Sequence, residues 1–446
     1  MTVHDREGHV LTGASPEARD HYERGLDLLR CYIGDPLAAA DAAIAAAPDF
    51  AMAHLLRAWL LLVGTEPAGF AAARDSLAQA TPLVATARER GHAAAAAHLV
   101  DGGWHESART LQRISIDHPR DLLALQIGHQ LDFFTGDARM LRDRIARALP
   151  EWREDRPGYH AMLSMHAFGL EECGDYARAE RSGKRAVELQ PRDGWGQHAV
   201  AHVLEMQARQ KDGIAWMRAD SSPWSLGSFF AVHNWWHLAL YHLDLGEIDD
   251  VLALFDGPVY GARSAVALDM VDASALLWRL KIRDVEVGDR WRPLADNWAA
   301  LGASGLYAFN DLHAVIAYLG AGQPEWLAAA LEGMDRAASG STDNARFTRE
   351  VGRPAALALK AFVDGDYART VELLAPTIPI AHRFGGSHAQ RDLLDLTLIE
   401  AAMRAGDAAL ARALTAERRA TKPASLFAET LFNRARSSGG PAADAG

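Results

Sequence analysis

Cysteine is scarce: only Cys31 and Cys173 occur in 446 residues. That excludes a disulfide framework and a cysteine-based metal knuckle, and it suits a reducing compartment. Long apolar runs are missing as well, and none approaches the roughly 18 residues that span a bilayer. The opening MTVHDREGHVLTGASPEARD is polar and lacks the apolar core of a secretory signal. The expectation is a cytoplasmic protein without a membrane partner. No Lys/Arg block appears, and 46 basic against 58 acidic residues give a net charge of −12. Phosphate backbones need a basic surface, so nucleic acid is disfavoured as a partner. The Val/Ile/Thr alternation of strands is nearly absent too.

What remains is a chain that is 49% hydrophobic and 23% charged, able to bury a large core. Its strongest signal is repetition. LLRCYIGDPLAAADAAIAAAPDF (28–50) and GLEECGDYARAERSGKRAVELQPRD (169–193) share one plan. An apolar helix meets a Gly-Asp turn, an Ala-rich helix follows, and a proline ends the unit. Similar glycines recur at 64, 136, 174, 246, 288, 365 and 406, and similar exits at Pro150, Pro191 and Pro376. Glycine permits the reversal, small residues let the helices approach, and proline cannot continue the second helix. Each hairpin has an apolar face it cannot bury alone, so neighbours stack into a right-handed solenoid. The pattern predicts an all-α superhelix of about ten to eleven degenerate hairpins, spaced roughly 30 to 43 residues apart. It forms a single domain over 1–436, followed by a low-complexity, disordered tail at 437–446.

In tetratricopeptide-type hairpins the first helix of each unit lines the concave groove. His129, His166, His202, His237, Asp272 and Asn310 follow one another at spacings of 37, 36, 35, 35 and 38. That places them on successive first helices, although their register drifts by about one helical turn. Two belong to i, i+4 pairs, His198/His202 and His233/His237, each presenting both imidazoles on one helix face. Helices about 8–10 Å apart let rings from neighbouring units converge. Imidazole is the commonest transition-metal ligand, so these four are the candidate metal ligands. Zinc is preferred, with iron or copper possible. Glu205, three residues after His202, could be a fourth ligand, an orienting carboxylate or a general base. Asp272 pairs with Asp269 at i, i+3.

Structural hydrogen bonding competes with ligation, since 19 histidines produce roughly one H-x-x-x-H pair by chance. His242 is out of phase and reads as packing or surface. In FNDLHAV, Asn310 and His313 are candidates for substrate contact and catalysis, although Asn310 or Asp311 could equally cap a helix. In RFGGSHAQRDLL, Ser387 and Gln390 form a capping box. His388 and Arg391 remain for an anionic group at that helix start. Asn234 and His166 complete the candidate substrate contacts. Trp195, Trp216, Trp224, Phe229, Phe230, Trp235 and Trp236 crowd the same units, mostly as inter-repeat core.

GWGQHAVAHVLEMQARQKDGIAWM, FFAVHNWWHLALYHLDLGEIDDVLALFD, LDMVDASALLWRL, FNDLHAV and FGGSHAQRDLL resemble the tetratricopeptide repeat protein 38 family. The similarity runs from about Pro36 to Pro423. It implies a TPR-like superhelix, soluble and intracellular, but no reaction. It also places His198, His202, His233, Asn234, His237, Asp272, Asn310, His313, His388 and Arg391 in the recognisable motifs.

Two functions compete. In one, the four histidines hold a divalent ion, Glu205, Asp272 or His313 assists catalysis, and a small polar or anionic substrate binds. Metal-dependent hydrolysis is favoured over oxidation. In the other, the protein is a non-catalytic adaptor holding a peptide or protein in its groove. The oligomeric state is open.

Overall fold

In the computed structural model the described residues are 2–302 and 305–437. Helices pair in chain order: α1 (Pro16–Cys31) with α2 (Pro36–Ala46), α3 (Ala51–Leu62) with α4 (Pro67–Ala80), α5 (Ala87–Val100) with α6 (Trp104–Asp117). Next come α7 (Leu122–Phe134) with α8 (Ala138–Ala148), α9 (Tyr159–Glu172) with α10 (Tyr176–Leu189), and α11 (Gly194–Met206) with α12 (Gln210–Arg218). The one-turn α13 (Ser222–Ser225) leads into α14 (Ala231–Leu245) and α15 (Ile248–Leu254). Then follow α16 (Ala267–Lys281) with α17 (Trp291–Leu301) and α18 (Ala308–Ala321) with α19 (Pro324–Ala338). After the short α20 (Asp343–Phe347) come α21 (Arg353–Val363) with α22 (Tyr367–Leu374), α23 (His388–Arg404) with α24 (Ala408–Thr421), and α25 (Leu426–Ser437).

This is the expected TPR-like α-α superhelix, with eleven hairpins among the described residues. No helix there is long and apolar enough to cross a membrane. Residues 438–446 of the expected tail lie outside the described residues, while Ser437 ends α25 and does not begin the tail.

The turns follow from local chemistry. Asp35, Asp137, Asp175, Asp366 and Asp407 each accept a backbone N–H at the start of a second helix. That answers donors a helix start leaves free. At the Gly64 turn the left-handed residue is Thr65, not the glycine. The units then sort into two layers. In α11 every residue but Met206 is buried, and in α7 every residue but Phe133. In α10 only Ala179, Gly183 and Ala186 are buried. First helices are therefore the interior and second helices the exterior.

The second half of the chain packs against hairpin turns and helix ends of the first. Asn310 Nδ2 donates to Thr65 Oγ1 (2.9 Å), and the Tyr307 hydroxyl donates to the Phe134 carbonyl (3.0 Å). Trp104 stacks on Tyr307, and the Ala267 N–H donates to Glu66 (2.9 Å).

Gly136, in the α7–α8 turn, shows how closely the two halves approach there. It has φ +68°, and a Cβ there would stand 1.7 Å from the His382 carbonyl oxygen. Gly174 has φ +80° and nothing within 4 Å of such a Cβ. Both Gly→Ala variants incur the strain of a left-handed backbone, about 1–2 kcal/mol. Gly136→Ala must also push neighbouring backbones apart, so in urea unfolding it is expected to lose clearly more stability than Gly174→Ala.

Candidate metal centre

α11 and α14 lie side by side and bring together the two i, i+4 pairs. His198, His202, His233 and His237 each offer a nitrogen, and these nitrogens all lie within 4.8 Å of one another. His198 Nε2 and His233 Nε2 are 3.0 Å apart. A tetrahedral zinc with Zn–N of about 2.0–2.1 Å spaces its donors about 3.3 Å apart. Small rotations of the rings would reach that geometry. Phe168 and Trp195 flank His198 at 5.2 and 4.8 Å between ring centroids, and Trp236 stacks on His233 at 5.3 Å. These aromatics wall the site as well as filling the core.

A carboxylate stands behind three of the four rings. His233 Nδ1 donates to Asp272 Oδ2 at 2.8 Å, and His237 Nδ1 donates to Glu205 Oε2 at 2.9 Å. Glu171 Oε2 lies 3.5 Å from His202 Nδ1, too far for a hydrogen bond. With Nδ1–H given outward, Nε2 keeps a lone pair facing the other rings. His237 Nε2, both nitrogens of His202 and His198 Nδ1 are buried without a hydrogen-bond partner. Burial is the main reason these rings stay neutral. It holds His198 and His237 well below the usual imidazole range, helped by the neighbouring rings. It brings His202 down to about 4 although Glu205 and Glu172 pull the other way. Neutral imidazole is the form that ligates.

The rim lies at His233, whose side chain is 14% exposed while those of His202 and His237 are fully buried. Beside it, burial raises Asp269 to about 6, with the Asp272 charge adding to the effect.

The remaining candidates are placed elsewhere. Asn234 ties α14 to α11 through the Gly194 carbonyl (3.2 Å), and Asn310 ties α18 to Thr65. Asn310 does not cap its helix; Tyr307 holds that position without a side-chain bond. Asp311 accepts the Gly305 N–H. His313 Nδ1 donates to the Phe309 carbonyl one turn back (2.8 Å), away from the four rings. His166 sits among the charges of Arg178 and Arg142 and, mainly through burial, falls to about 4. The Ser387–Gln390 capping box is formed. His388 Nδ1 lies 3.1 Å from Glu172, and Arg391 lies 3.8 Å from it. His242 pairs with Glu247 (2.6 Å).

Glu171 and Glu172 are absent from the residues that sequence reasoning picks out, because they close an ordinary first helix. Two adjacent acids inside an otherwise apolar helix were the available signal.

A helical-repeat solenoid with a buried imidazole cluster is thus the class that fold and site define. No family model matches the chain. Among solved structures, a human IFIT1 dimer with m7Gppp-AAAA resembles it at TM-score 0.40 and 13% identity, over 98% of this chain and 96% of that one. The APC/C hetero-tetramer Cut9-Hcn1 scores 0.45 at 11% identity, over 94% and 76%. Yeast Tom70 scores 0.32 at 12% identity, over 94% and 95%. These are likenesses of architecture at low identity.

In metal-free protein, His202 is expected to stay neutral at pH 5.5. His388, held above the usual imidazole value by its pairing with Glu172, is expected to be protonated there. Ring nitrogen shifts measured by NMR across pH 4–8 check both.

Proposed function

We propose that His198, His202, His233 and His237 hold one divalent transition-metal ion, with zinc favoured over iron or copper. The site would serve a small polar or anionic molecule arriving past His233. One observation carries this reading: neutral imidazoles in a dry interior leave lone pairs that no donor answers. Hydrogen bonding alone would orphan His237 Nε2, His202 Nε2 and His198 Nδ1, at about 1–3 kcal/mol each. A cation uses those lone pairs. Outward Nδ1–H bonds to Asp272 and Glu205 are the supporting arrangement that metal-bound histidines commonly use.

A divalent ion there supplies Lewis acidity and water activation near neutral pH. The protein's own groups do the positioning. Asp272 and Glu205 were expected as bases, but each is engaged as an acceptor for an imidazole N–H. We assign them the orientation of His233 and His237. His313 makes no contact that gives it a step, and Asn234, Asn310 and His166 hold helices or stand apart. Arg391 donates to the Gly386 carbonyl and faces Glu172, so its charge is answered within the protein. Four imidazoles would fill a tetrahedral sphere, and closed spheres are structural while open ones are catalytic. His233, at the rim, is the ligand whose displacement would open a position. Hydrolysis is the reaction class we favour.

Untagged protein is expected to hold about one ion per chain at this cluster. His202→Ala and His237→Ala are expected to lose it with helical content unchanged by circular dichroism. Asp272→Asn and Glu205→Gln should weaken binding about 10- to 100-fold. Protein carefully loaded with zinc, iron or copper that retains none refutes the metal reading.

A non-catalytic adaptor is the second reading, favoured by exposed apolar side chains. Leu226 and Phe229 precede α14, while Val266 and Leu268 stand at the start of the adjacent α16. These exposed side chains are where a peptide or protein partner would sit. An adaptor would keep its partner in pull-downs with His202→Ala and lose it with Leu226→Asp/Leu268→Asp.

A further inference from the structure

The C-terminal turn of α9 places two consecutive carboxylates in the interior, and their surroundings differ sharply. Glu172 accepts the His388 backbone N–H (3.1 Å), lies 3.1 Å from His388 Nδ1 and 3.8 Å from Arg391. Burial alone would raise its carboxyl, but pairing with His388 and Arg391 holds it at about 2. Glu171 is 1% exposed, and neither of its oxygens has a hydrogen-bond partner. Burial and the Glu172 charge push its carboxyl well up. His202 Nδ1 lies 3.5 Å from Glu171 Oε2.

A carboxylate shut away from water must gain a proton, donors or a cation, and a cation is the partner that would keep it ionised here. Arg391 and His388 face Glu172 and leave Glu171 unanswered. Glu171, Glu172 and His388 each offer one ligand atom, and these atoms lie within 4.8 Å of one another. The side chain of His388 is 44% exposed, so this trio opens to solvent while the four-imidazole cluster is enclosed.

We propose that Glu171, Glu172 and His388 bind a second divalent cation, with His202 standing between it and the first. Only the pairing of two ions rests on the four-histidine reading; the trio is a site in its own right. Two carboxylates and one imidazole form a harder donor set than four imidazoles. Zn²⁺ and Mn²⁺ are the ions it would take, and Mn²⁺ should prefer it to the cluster. His388 Nδ1, now turned toward Glu172, would share the cation with that carboxylate. Arg391 would stay beside Glu172, 3.8 Å away, as its second charge partner.

Metal content per chain, measured by mass spectrometry on untagged full-length protein loaded with Zn²⁺ and desalted, separates the possibilities. The expected result is two ions in the wild type, one in Glu171→Gln, one in His388→Ala and one in His237→Asn. Glu171→Gln conserves shape and His388 is partly exposed, so both variants should fold; circular dichroism checks this. Loading with Mn²⁺ should give one ion, seen by electron paramagnetic resonance, that Glu171→Gln removes and His237→Asn keeps. A wild type holding one zinc that Glu171→Gln retains and His237→Asn loses overturns the second site and leaves the first intact. One zinc that Glu171→Gln loses and His237→Asn retains overturns the four-histidine site and leaves the trio. No retained zinc overturns both.

Discussion

Burial of the first helices is the constraint from which the rest of this structure follows. Stacked hairpins ordinarily leave a wetted inner face. Here polar side chains of the first helices, such as Glu171, His202 and His237, are buried, and contacts such as Asn310 with Thr65 and Tyr307 with Phe134 tie the two halves together. Water is thereby removed from polar side chains that first helices carry toward the axis. Once dry, an imidazole or a carboxylate must be paired or neutral. Neutral histidines at 198, 202 and 237 and an uncompensated Glu171 are consequences of that one packing event.

The same packing sets the division of labour among acids. Asp272, Glu205 and Glu171 come from three different helices, yet each approaches the outer nitrogen of a different ring. Glu172, one residue from Glu171, is answered by His388 across the axis. An interior holding so much ionisable chemistry costs stability unless something is bound or transferred there. Buried clusters with strongly shifted pKa values mark functional sites for this reason. The aromatic walls made by Phe168, Trp195 and Trp236 strengthen every electrostatic interaction between them by lowering the local dielectric.

Much of the scaffold could be read without coordinates. Gly-Asp turns and proline exits act through local backbone rules, so α9–α10 and its relatives were legible as hairpins. The i, i+4 pairs were legible because helix geometry puts them on one face. The spacing of about one repeat put His202 and His237 on neighbouring helices. Other assignments failed for lack of that local logic. Asn310 reads like a cap but gives its amide to a residue 245 positions away. Glu171 reads like the end of a helix, and its importance depends on α9 lying against α11. The contacts between the two halves were not legible either, because superhelical curvature accumulates from small rotations between units, set by side-chain packing that no motif encodes.

The amino-acid sequence by itself therefore determined the hairpins, their order and which residues turn inward, since each depends on neighbours within about one repeat. Only the tertiary structure decided how far inward those residues are sealed, which carboxylate stands behind which ring, and that His388 meets Glu172. The contact of His388 with Glu172 joins residues 216 positions apart. These outcomes depend on the summed packing of many units, a quantity that no local stretch of chain contains.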